Sequence, residues 1–412
     1  MKVLFISYNG LLEPILPSQA VPYIKGLTAL GYDFILLTYE KKRDLDRAGR
    51  AGVRKLREDL KKAGIDWRYL RYHKNPPLLS TLFDLIVGFF TAFLIIVYGR
   101  VKIVHVRGIT PGVIIMALSK ILKFKIIFDM RGLLAEEYAA GGLWREGGLP
   151  FRLVKKAEKR MLMTADAVTV LTKKHFDLNR SLDYLTERKI PMDIVPCCVD
   201  AGRFIPDRED ENLFRRELGL DGKFILMYPG KIGTFYFMDE MLAFFKYASG
   251  VMQKAVFFIV THDEPSDFLE RANAMGVEAD KIIIKEKVPY EEMPRYMRAA
   301  DAGVFFINPY KKIGSSPIKM GEFLASGVPV IINPGVGDTE ELVRENRVGV
   351  VVNNFTEPDF RKAIDELLRL KKESDELKRR CIATAEKFLS HEVAIARYAK
   401  IYKAISGESR FL

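Results

Sequence analysis

The stretch VLFISYNGLLEPILPSQAVPYIKGLTALGYDFILLT, residues 3–38, decides the fold. Its first part, Val3 to Tyr8, is a continuous apolar run typical of a buried strand. Val21 to Leu30 has helical spacing and ends at Gly31, and Asp33 to Thr38 is a second apolar run. A strand, a helix and a strand in this order predict a βαβ unit and therefore a parallel sheet.

The same alternation of apolar runs and helical stretches continues along the whole chain. In the first half we predict further strands at residues 102–106, 125–128, 167–171 and 193–195. In the second half we predict six more, at residues 224–228, 255–260, 281–284, 302–306, 329–332 and 349–352. The sequence therefore predicts an α/β protein with two Rossmann-like, doubly wound halves.

The length of 412 residues also favours two domains, because single cores stop growing at about 250–300 residues. We predict an N-terminal domain over residues 1–200 and a second domain over residues 201–385. Residues 386–412 are predicted to form a final helical segment. The join falls in the segment PCCVDAGRFIP, residues 196–206.

The cysteines and the N-terminus indicate a reducing compartment. Cys197, Cys198 and Cys381 are too few for a secreted disulfide framework. Met1 to Ser7 has the pattern of a strand and not that of a signal peptide. We therefore expect a cytoplasmic protein.

Basic charge is concentrated in the first half of the chain. Residues 1–200 carry 33 Lys and Arg against 20 Asp and Glu, whereas residues 201–412 carry 32 against 33. The halves thus have net charges of +13 and −1. This asymmetry is consistent with a solubilising surface, or with an anionic partner such as a membrane, a lipid-linked phosphate or a nucleic acid.

The segment Leu78 to Tyr98 is long and apolar enough to span a membrane, with Asp84 as its one charge. An apolar strand at residues 101–106 and another apolar helix follow directly. A membrane span would interrupt this βα series. We therefore expect a helix that lies on the sheet, with one face or end touching a bilayer surface.

Several common sites are absent from the sequence. The loop Asn9 to Pro14 after the first strand lacks a G-x-G-x-x-G pattern, and the chain has no G-x-x-x-x-G-K-[ST] loop. Zinc-type Cys and His spacing and a G-x-S-x-G elbow are also missing. Asp44 and Asp46 fit a solvated helix face better than a metal pair, so we assign no metal.

Three segments of the second half should meet at the carboxyl ends of parallel strands, where open α/β sheets bind ligands. They are YPGKIG at 228–233, SSPIKMGEFLASGVPV at 315–330 and PGVGDT at 334–339. In the first, Lys231 would place a cation on a diphosphate. In the second we predict a helix start with serines at the cap and proline at the first helical position, which is an anion site. Lys319 lies in its first turn, and Glu322 could accept hydrogen bonds from ribose hydroxyls.

These motifs together resemble the retaining nucleotide-sugar glycosyltransferases of family 4, which have the GT-B fold. The resemblance rests on Tyr228-x-Gly-Lys and on Ser316-Pro-x-Lys-x-x-Glu-Phe-Leu-Ala-x-Gly-x-Pro-Val-Ile331. It extends to Gly10-Leu-Leu-Glu-Pro, Asp129-Met-Arg-Gly132 and Asp166-Ala-Val-Thr-Val-Leu-Thr172 in the first half. It implies two domains facing a cleft, with the last helix crossing back to the first domain.

The resemblance also implies the site. Lys231, Glu322, Asp129 and Arg131 would be catalytic, with Lys231 on the diphosphate and Glu322 on the ribose. The donor would be surrounded by Gly10, Gly230, Lys231, Val288, Gly314, Ser315, Ser316, Ile318, Lys319 and Glu322, and the backbone at Val288 would hold the base. The family needs no cofactor and no metal, since the donor, most commonly a UDP-sugar, is a co-substrate.

Two departures from the family pattern affect what the resemblance implies. Gly314 stands where the usual first glutamate of a pair would touch the transferred sugar, so the sugar is not predicted. A second cation, expected soon after Lys231, is replaced by the segment Phe235 to Met238. Diphosphate binding would then depend on Lys231 and Lys319, as in a branch variant of the family.

The expected function is transfer of a sugar to a lipid-linked or cell-surface glycan acceptor, by a peripheral protein at the inner face of the cell membrane. A catalytically silent GT-B module recruited to a membrane or partner is the alternative. A nucleic-acid-binding protein is suggested by charge alone, without a supporting motif. A sugar-nucleotide epimerase is a lesser alternative, because paired acid and base carboxylates are not found in the sequence. The base, the linkage and the oligomeric state are not predicted.

Overall fold

The computed structural model describes residues 1–13, 15–205, 208–233, 235–286, 288–310 and 312–407, without the side chains of Pro77, Leu78, Arg208 and Glu209. Pro14 of the first-loop motif, Leu78 at the start of the apolar segment and Pro206 at the predicted join are thus wholly or partly outside it. The chain forms two compact units. Unit 1 comprises Met1–Pro196 with His391–Leu412, and unit 2 comprises Cys197–Ser390.

Unit 1 contains a seven-stranded parallel sheet in the order β3-β2-β1-β4-β5-β6-β7. The strands are β1 Lys2–Ser7, β2 Asp33–Lys41, β3 Ile65–Tyr72, β4 Ile103–Arg107, β5 Lys125–Met130, β6 Ala167–Val170 and β7 Met192–Ile194. The helices of residues 1–196 are α1 Ile15–Gln19, α2 Val21–Ala29, α3 Lys42–Lys62, α4 Pro77–Gly99, α5 Ile109–Leu118, α6 Leu134–Ala140, α7 Leu149–Thr164, α8 Lys173–Arg180 and α9 Asp183–Thr186. The residues of β1, β4 and β5 are almost all buried, as in a sheet covered on both faces.

Unit 2 contains a six-stranded parallel sheet in the order β10-β9-β8-β11-β12-β13. The strands are β8 Phe224–Pro229, β9 Ala255–Thr261, β10 Ile282–Glu286, β11 Ala302–Phe305, β12 Val330–Ile332 and β13 Gly349–Val351. The helices are α10 Arg208–Glu217, α11 Met238–Val251, α12 Ser266–Ala274, α13 Met293–Arg298, α14 Ile318–Ala325, α15 Thr339–Asn346, α16 Glu357–Lys372 and α17 Asp375–Leu389. Short 3-10 turns lie at Ala201–Phe204 and Ala279–Lys281.

The predicted fold class is confirmed, because both halves are Rossmann-like units with parallel sheets. Each sheet reverses its strand order once, since β1 lies between β2 and β4 and β8 lies between β9 and β11. Loops leaving the carboxyl ends of the strands diverge at such a point, which is where this class of sheet binds ligands. The loops after β1 and β8 are therefore the first places to look for a site.

One strand was missed by the sequence analysis. The edge strand β3, IDWRYLRY, alternates buried and exposed residues over its first four positions instead of forming a continuous apolar run. Its Trp67 is buried and donates an indole hydrogen bond to the Thr38 hydroxyl at 2.9 Å. The arginines between the buried positions hid the strand from a search for apolar runs.

The boundary between the units is set by local hydrogen bonds. The N–H of Cys197 donates to the Ser316 hydroxyl at 3.2 Å, and that of Val199 donates to the Leu389 carbonyl at 2.8 Å. Residues 197–200 thus belong to unit 2, four residues before the predicted division after residue 200. The return to unit 1 begins at His391, five residues after the predicted start at 386.

The last helix, α18 His391–Ser406, packs within unit 1 against α2. The Tyr398 ring lies 4.5 Å from that of Tyr23, and the Tyr402 hydroxyl lies 2.8 Å from Nδ1 of the buried His105 on β4. A side chain at Gly26 of α2 would collide with Ile395, so glycine permits the close approach of the two helices. The C-terminal segment is therefore part of the first core.

We predict that Tyr402→Ala lowers the stability of unit 1 by about 3–5 kcal/mol, because it removes a fully buried ring and leaves His105 without its partner. Denaturant unfolding followed by circular dichroism measures this loss. Tyr98→Ala, which truncates a tyrosine that is 81% exposed, is the matched control and should change stability by less than about 0.5 kcal/mol. Equal losses in the two variants would contradict the role assigned to α18.

Candidate functional site

The loop after β8 begins a candidate ligand site in unit 2. Gly230 has φ +141° and Gly233 has φ +89°, conformations that L side chains rarely adopt. The Tyr228 hydroxyl donates to the carbonyl of Lys231, and the N–H of Ile232 donates to the Asp263 carboxylate at 2.8 Å. These bonds fix the loop backbone, while the Lys231 side chain is exposed.

The start of α14 differs from the prediction. Pro317 is the N-cap and the helix begins at Ile318, so proline is not in the first helical position. No side-chain capping bond is made there among the described residues. The Ser316 hydroxyl instead accepts the N–H of Cys197, and the Ser315 N–H donates to the Lys312 carbonyl at 3.0 Å. The serines therefore shape the preceding loop. The N–H of Met320 donates to the Pro317 carbonyl at 3.2 Å, and the N–H groups of Ile318 and Lys319, at the first two helical positions, point toward an acceptor before the helix.

Lys319 is the most unusual charged group of unit 2. Its side chain is 7% exposed, and its Nζ has no hydrogen-bond partner among the described residues. The ammonium lies 4.3 Å from the ring centroid of Tyr228 and 3.9 Å from that of Tyr236. Burial lowers the pKa of Lys319 to about 7, although the nearby Glu322 carboxylate opposes this shift. The cation is thus held by aromatic faces, with the Glu322 carboxylate nearby but not hydrogen-bonded to it.

Gly230 adjoins this ammonium. A Cβ placed on Gly230 would lie 2.9 Å from Nζ of Lys319. The glycine therefore brings the loop backbone and the cation to one point, next to the first turn of α14. A cation, a glycine loop and helix N–H groups together are an arrangement that binds phosphate.

Glu322 lies one turn further along α14 and is also buried. Burial raises the pKa of Glu322 to about 7, against the opposing effects of Lys319, Tyr290 and Arg203. The Tyr290 hydroxyl donates to its Oε1 at 3.4 Å. Arg203 in turn donates to the Tyr290 carbonyl at 2.8 Å and stacks over the Tyr290 ring at 4.3 Å. This carboxyl group is a positioned hydrogen-bonding group within the same site.

Lys312 is a second buried cation that the sequence analysis missed. It is 6% exposed, and its Nζ lies 4.0 Å from the centroid of the Phe235 ring. Phe235 belongs to the segment that stands where the family pattern has its second cation. Lys312, from another loop, thus places a cation beside this segment. The only signal in the sequence is that Lys312 lies two residues before Gly314.

The glycine-rich loop after β12 packs against this same segment. The N–H of Gly337 donates to the Lys312 carbonyl at 2.9 Å, and a Cβ on Gly335 would lie 2.8 Å from Cβ of Pro309. Asn333 bonds both the N–H and the carbonyl of Ile307, at 2.7 and 2.8 Å. The loop 334–339 therefore supports the segment around Gly314. The Val288 side chain is buried in the core of unit 2, which leaves only its backbone for the predicted contact with a base.

In unit 1 the structure places Asp129 at the end of β5, fully buried. Its carboxylate accepts from Arg107 at 3.0 Å and from the Thr169 hydroxyl at 3.1 Å, with Arg131 at 3.5 Å. Burial alone would raise the pKa of Asp129, but Arg131, His105 and Arg107 together hold it well below its usual range. Asp129 is therefore an ionised anchor for two arginines, and Arg131 is the more accessible member of the predicted pair.

Gln19 connects these two arginines. Its side-chain oxygen accepts from both Arg107 and Arg131 at 3.1 Å. Arg131 also donates to the Val195 carbonyl at 3.3 Å. The guanidinium groups are thus held in fixed positions beside the loop after β4.

Arg107 and Arg131 line a pocket of about 240 Å³ at the carboxyl ends of β1, β4 and β5. Its other walls include Tyr8, Glu137 and Tyr138. Gly10 and Asp129 do not line it. Two cations, the carboxyl groups of Glu137 and Glu158, and aromatic rings make this pocket suitable for a polar ligand with hydroxyl groups.

The loop that contains Gly10 is fixed by Glu40, another residue that the sequence analysis missed. The buried Glu40 carboxylate accepts the N–H groups of Leu11 and Leu12 at 2.6 and 3.0 Å. A Cβ on Gly10 would lie 2.5 Å from Oε2 of Glu40, so no larger residue fits. The glycine is required for packing of this loop, whatever it binds.

Within the ranges described above, no group of three or more His, Cys, Asp or Glu side chains could hold a metal ion. In the described part of the chain, one helix, Leu79–Gly99, is long and apolar enough to cross a membrane by length and composition. One third of its most apolar 18-residue stretch is buried. The predicted contact between this helix and the sheet is therefore limited to one side of the helix.

Comparison with known proteins bears on the fold and on the kind of domain that unit 2 contains. Residues 224–370 match the family model for glycosyl transferases group 1. No curated protein matches the chain. Among solved structures the chain is similar to sucrose-phosphate synthase from Thermosynechococcus elongatus, at 16% identity and a TM-score of 0.72 over 99% of both chains.

Two further structures have related folds. Anabaena Alr3699/HepE in complex with UDP-glucose is 12% identical, with a TM-score of 0.67 over 99% of this chain and all of that one. WaaG, a glycosyltransferase involved in lipopolysaccharide biosynthesis, is 14% identical, with a TM-score of 0.64 over 95% and 98% of the two chains.

The two Rossmann-like units and these neighbours define the fold as GT-B. The match over residues 224–370 assigns this part of unit 2 to the glycosyl transferases group 1 family. The expected resemblance is confirmed at this level.

The low pKa of Lys319 predicts that diphosphate binding takes up a proton above neutral pH. At pH 8 the free amine is mostly neutral, and an adjacent diphosphate restores its charge by raising its pKa. Titration with UDP at pH 8 in two buffers of different ionisation enthalpy should show an uptake approaching one proton. Above pH 7, affinity should fall toward tenfold per pH unit.

Two variants test which side chain takes up this proton when UDP binds. Lys319→Met should abolish the uptake, whereas Glu322→Gln should preserve it, since the amine remains. Proton uptake of unchanged size in Lys319→Met would rule out Lys319 as the group that titrates.

Proposed function

We propose that this protein is a retaining, family 4 glycosyltransferase that moves a sugar from a nucleotide-diphosphate sugar, a UDP-sugar, to a lipid-linked or polysaccharide acceptor. The observation that carries the proposal is the buried ammonium of Lys319, which lacks a hydrogen-bond partner in the described residues. A cation without a hydrogen-bonded partner among the described residues, beside Gly230 and the start of α14, is suited to the diphosphate of a donor. The UDP and UDP-glucose complexes of HepE support uridine as the base.

Charge stabilisation is the chemical task of this site. When the anomeric bond ionises, negative charge develops on the leaving diphosphate. Lys319, the exposed Lys231 and the free N–H groups of α14 would stabilise that charge at fixed positions. With cations in this role, the proposed reaction needs no metal ion.

Retention of configuration follows if the acceptor hydroxyl attacks from the face that the diphosphate leaves. Its proton would pass to the departing phosphate oxygen, so no protein nucleophile is used. Glu322 would accept hydrogen bonds from the ribose and so position the donor. Its contact with Tyr290, which Arg203 holds in place, orients the carboxyl group for this role.

For the acceptor we propose the pocket of unit 1 that Arg107 and Arg131 line. Its cations suit an acceptor that carries phosphate, and its aromatic rings suit a sugar face. The net charge of +13 over residues 1–200 supports an acceptor at an anionic surface. We propose a cytoplasmic protein that binds peripherally at the inner face of the cell membrane.

Calorimetric titration with UDP, GDP and CMP, in the absence of metal, tests the donor site. We expect saturable binding of UDP, weakened at least tenfold by Lys319→Met and less by Lys231→Ala because Lys231 is exposed. Lys254→Met removes an exposed lysine next to the amino end of β9, and this control should leave the affinity unchanged. Failure of all three nucleotides to bind would refute the proposal and favour a silent GT-B module.

Turnover distinguishes an enzyme from a nucleotide-binding module. With a UDP-sugar that is a substrate, Lys319→Met should lower kcat by roughly 10²–10³-fold, the usual loss when a group that stabilises transition-state charge is removed. The anomeric configuration of the product, read by proton NMR, tests retention, and an inverted product would refute that part. Activity abolished by EDTA and restored by a divalent cation would refute metal independence.

A further inference from the structure

The helix α4 has an inverted pattern of burial. Its buried positions are Ser80, Asp84, Gly88 and Ala92, which are polar or small, and, near its end, Ile95 and Ile96. The side chains that point to solvent are large and apolar, and they are Leu79, Leu82, Phe83, Ile86, Phe90, Leu94, Val97 and Tyr98. These eight are every exposed residue of the described part of the helix, residues 79–99. We call them the outer face of α4.

The spacing of the outer face makes it continuous. Successive members are one, three or four residues apart, so they lie on one side of a helix about 30 Å long. Phe90, near the middle, is 62% exposed. A helix of a water-soluble protein normally presents polar residues on this side. The pattern therefore indicates that water is not the normal environment of the outer face.

The charges around the helix select one kind of partner. From Lys74 to Lys125 the chain has seven Lys and Arg and a single acidic residue, Asp84. That carboxylate is buried, with hydrogen bonds from the Tyr8 hydroxyl at 3.1 Å and from the N–H of His73 at 3.0 Å. The exposed charges of the segment are all positive, and they are Lys74, Arg100, Lys102, Lys120, Lys123 and Lys125.

Lys125 is paired with Asp166 at 2.9 Å, and Asp33 and Asp66 lie near Leu94 and Tyr98 at one end of the face. An apolar face with an excess of cations around it fits an anionic lipid surface. A second copy of the chain would bring like charges together, which opposes a dimer through this face. From these observations we propose that α4 lies in the plane of an anionic bilayer, with its outer face inserted among the lipids. The inference deepens the proposed function, on which it rests for its biological purpose, by naming the element that touches the membrane.

Contacts on the inner side of α4 oppose a membrane-spanning arrangement. The Tyr39 hydroxyl donates to the Asp84 carbonyl at 3.0 Å, and His73 Nδ1 lies 2.6 Å from the Asp84 carboxylate. Any side chain at Gly88 would collide with the Tyr39 hydroxyl, so the helix and the sheet are closely fitted. Crossing the bilayer would break these contacts and carry Asp84 into lipid. The helix therefore touches the membrane while it remains part of unit 1.

Two more exposed apolar residues lie in and just after α5, the helix that contacts α4. Val113 on α5 is 40% exposed, and Ile121 just after α5 is 61% exposed. Lys120 and Lys123 flank Ile121 in the sequence. The apolar surface and its cations thus extend beyond one helix, as expected for a bilayer contact and not for a small ligand.

Co-sedimentation of the full chain with vesicles tests the proposal. We expect binding to vesicles containing phosphatidylglycerol and at least tenfold weaker binding to pure phosphatidylcholine. The triple variant Phe83→Ser, Ile86→Ser, Phe90→Ser should lose at least tenfold in affinity for the anionic vesicles. Lys102→Glu with Lys120→Glu and Lys123→Glu should weaken binding to anionic vesicles and reduce its dependence on salt.

A matched control changes exposed apolar residues elsewhere. Leu213→Ser, Val251→Ser and Leu269→Ser lie in unit 2, at positions 40–55% exposed, and should leave vesicle binding unchanged. Circular dichroism and the melting temperature verify that each variant is folded. UDP titration of the same proteins should give wild-type affinity, because none of these residues contacts the candidate donor site.

Four results would overturn the proposal. The first two are failure of the wild-type protein to bind anionic vesicles, and undiminished binding by the folded Phe83/Ile86/Phe90 variant. The third is resistance of the membrane-bound protein to carbonate extraction, which would indicate a membrane span. The fourth is a dimer, detected by light scattering, that the same triple substitution dissociates. The two proposals fail separately. Vesicle binding without UDP binding would remove the proposed donor function alone, and UDP binding without vesicle binding would remove the membrane face alone.

Discussion

The candidate site depends on one constraint, which is that Lys319 is removed from water without gaining a carboxylate partner in a hydrogen bond. Lowering its pKa from 10.5 to about 7 costs the folded protein on the order of 5 kcal/mol when the amine is charged. The rings of Tyr228 and Tyr236 offset part of this cost. A folded protein can tolerate such an unfavourable buried charge when the binding of a ligand offsets its free-energy cost. A diphosphate has the charge and the size to do so.

The buried carboxylate of unit 1, Asp129, has a hydrogen-bonded partner of opposite charge, in contrast to Lys319. Asp129 is surrounded by Arg107, Arg131 and Thr169, and each of these contacts satisfies it. Its environment stabilises the ionised form, which makes it a poor proton acceptor at neutral pH. The same network fixes the guanidinium groups at the rim of the pocket. Asp129 thus acts through the arginines that it positions, and Arg131 is the group that a ligand could contact.

The sequence predicted the fold well because buried parallel strands are continuous apolar runs, such as those of β1 and β9. It failed at β3, whose exposed arginines interrupt the pattern. The site was predicted in part, since Lys319 and Glu322 follow from a motif on one helix. Lys312 and Glu40 were missed because their roles depend on loops that are distant in sequence. The serine cap was wrong because the Ser316 hydroxyl is used by Cys197, a tertiary contact that local rules do not contain.

Helix α4 marks a further limit of sequence reasoning. Its composition is apolar throughout, so hydropathy cannot tell which side faces the sheet. Asp84 is the one charge of an otherwise apolar segment, and in the structure Asp84 and Gly88 make the inner contacts that hold the helix on unit 1. With those residues turned inward, the large apolar side chains must turn outward. The burial of one carboxylate thus determines both that the helix stays with the sheet and that it presents an apolar surface.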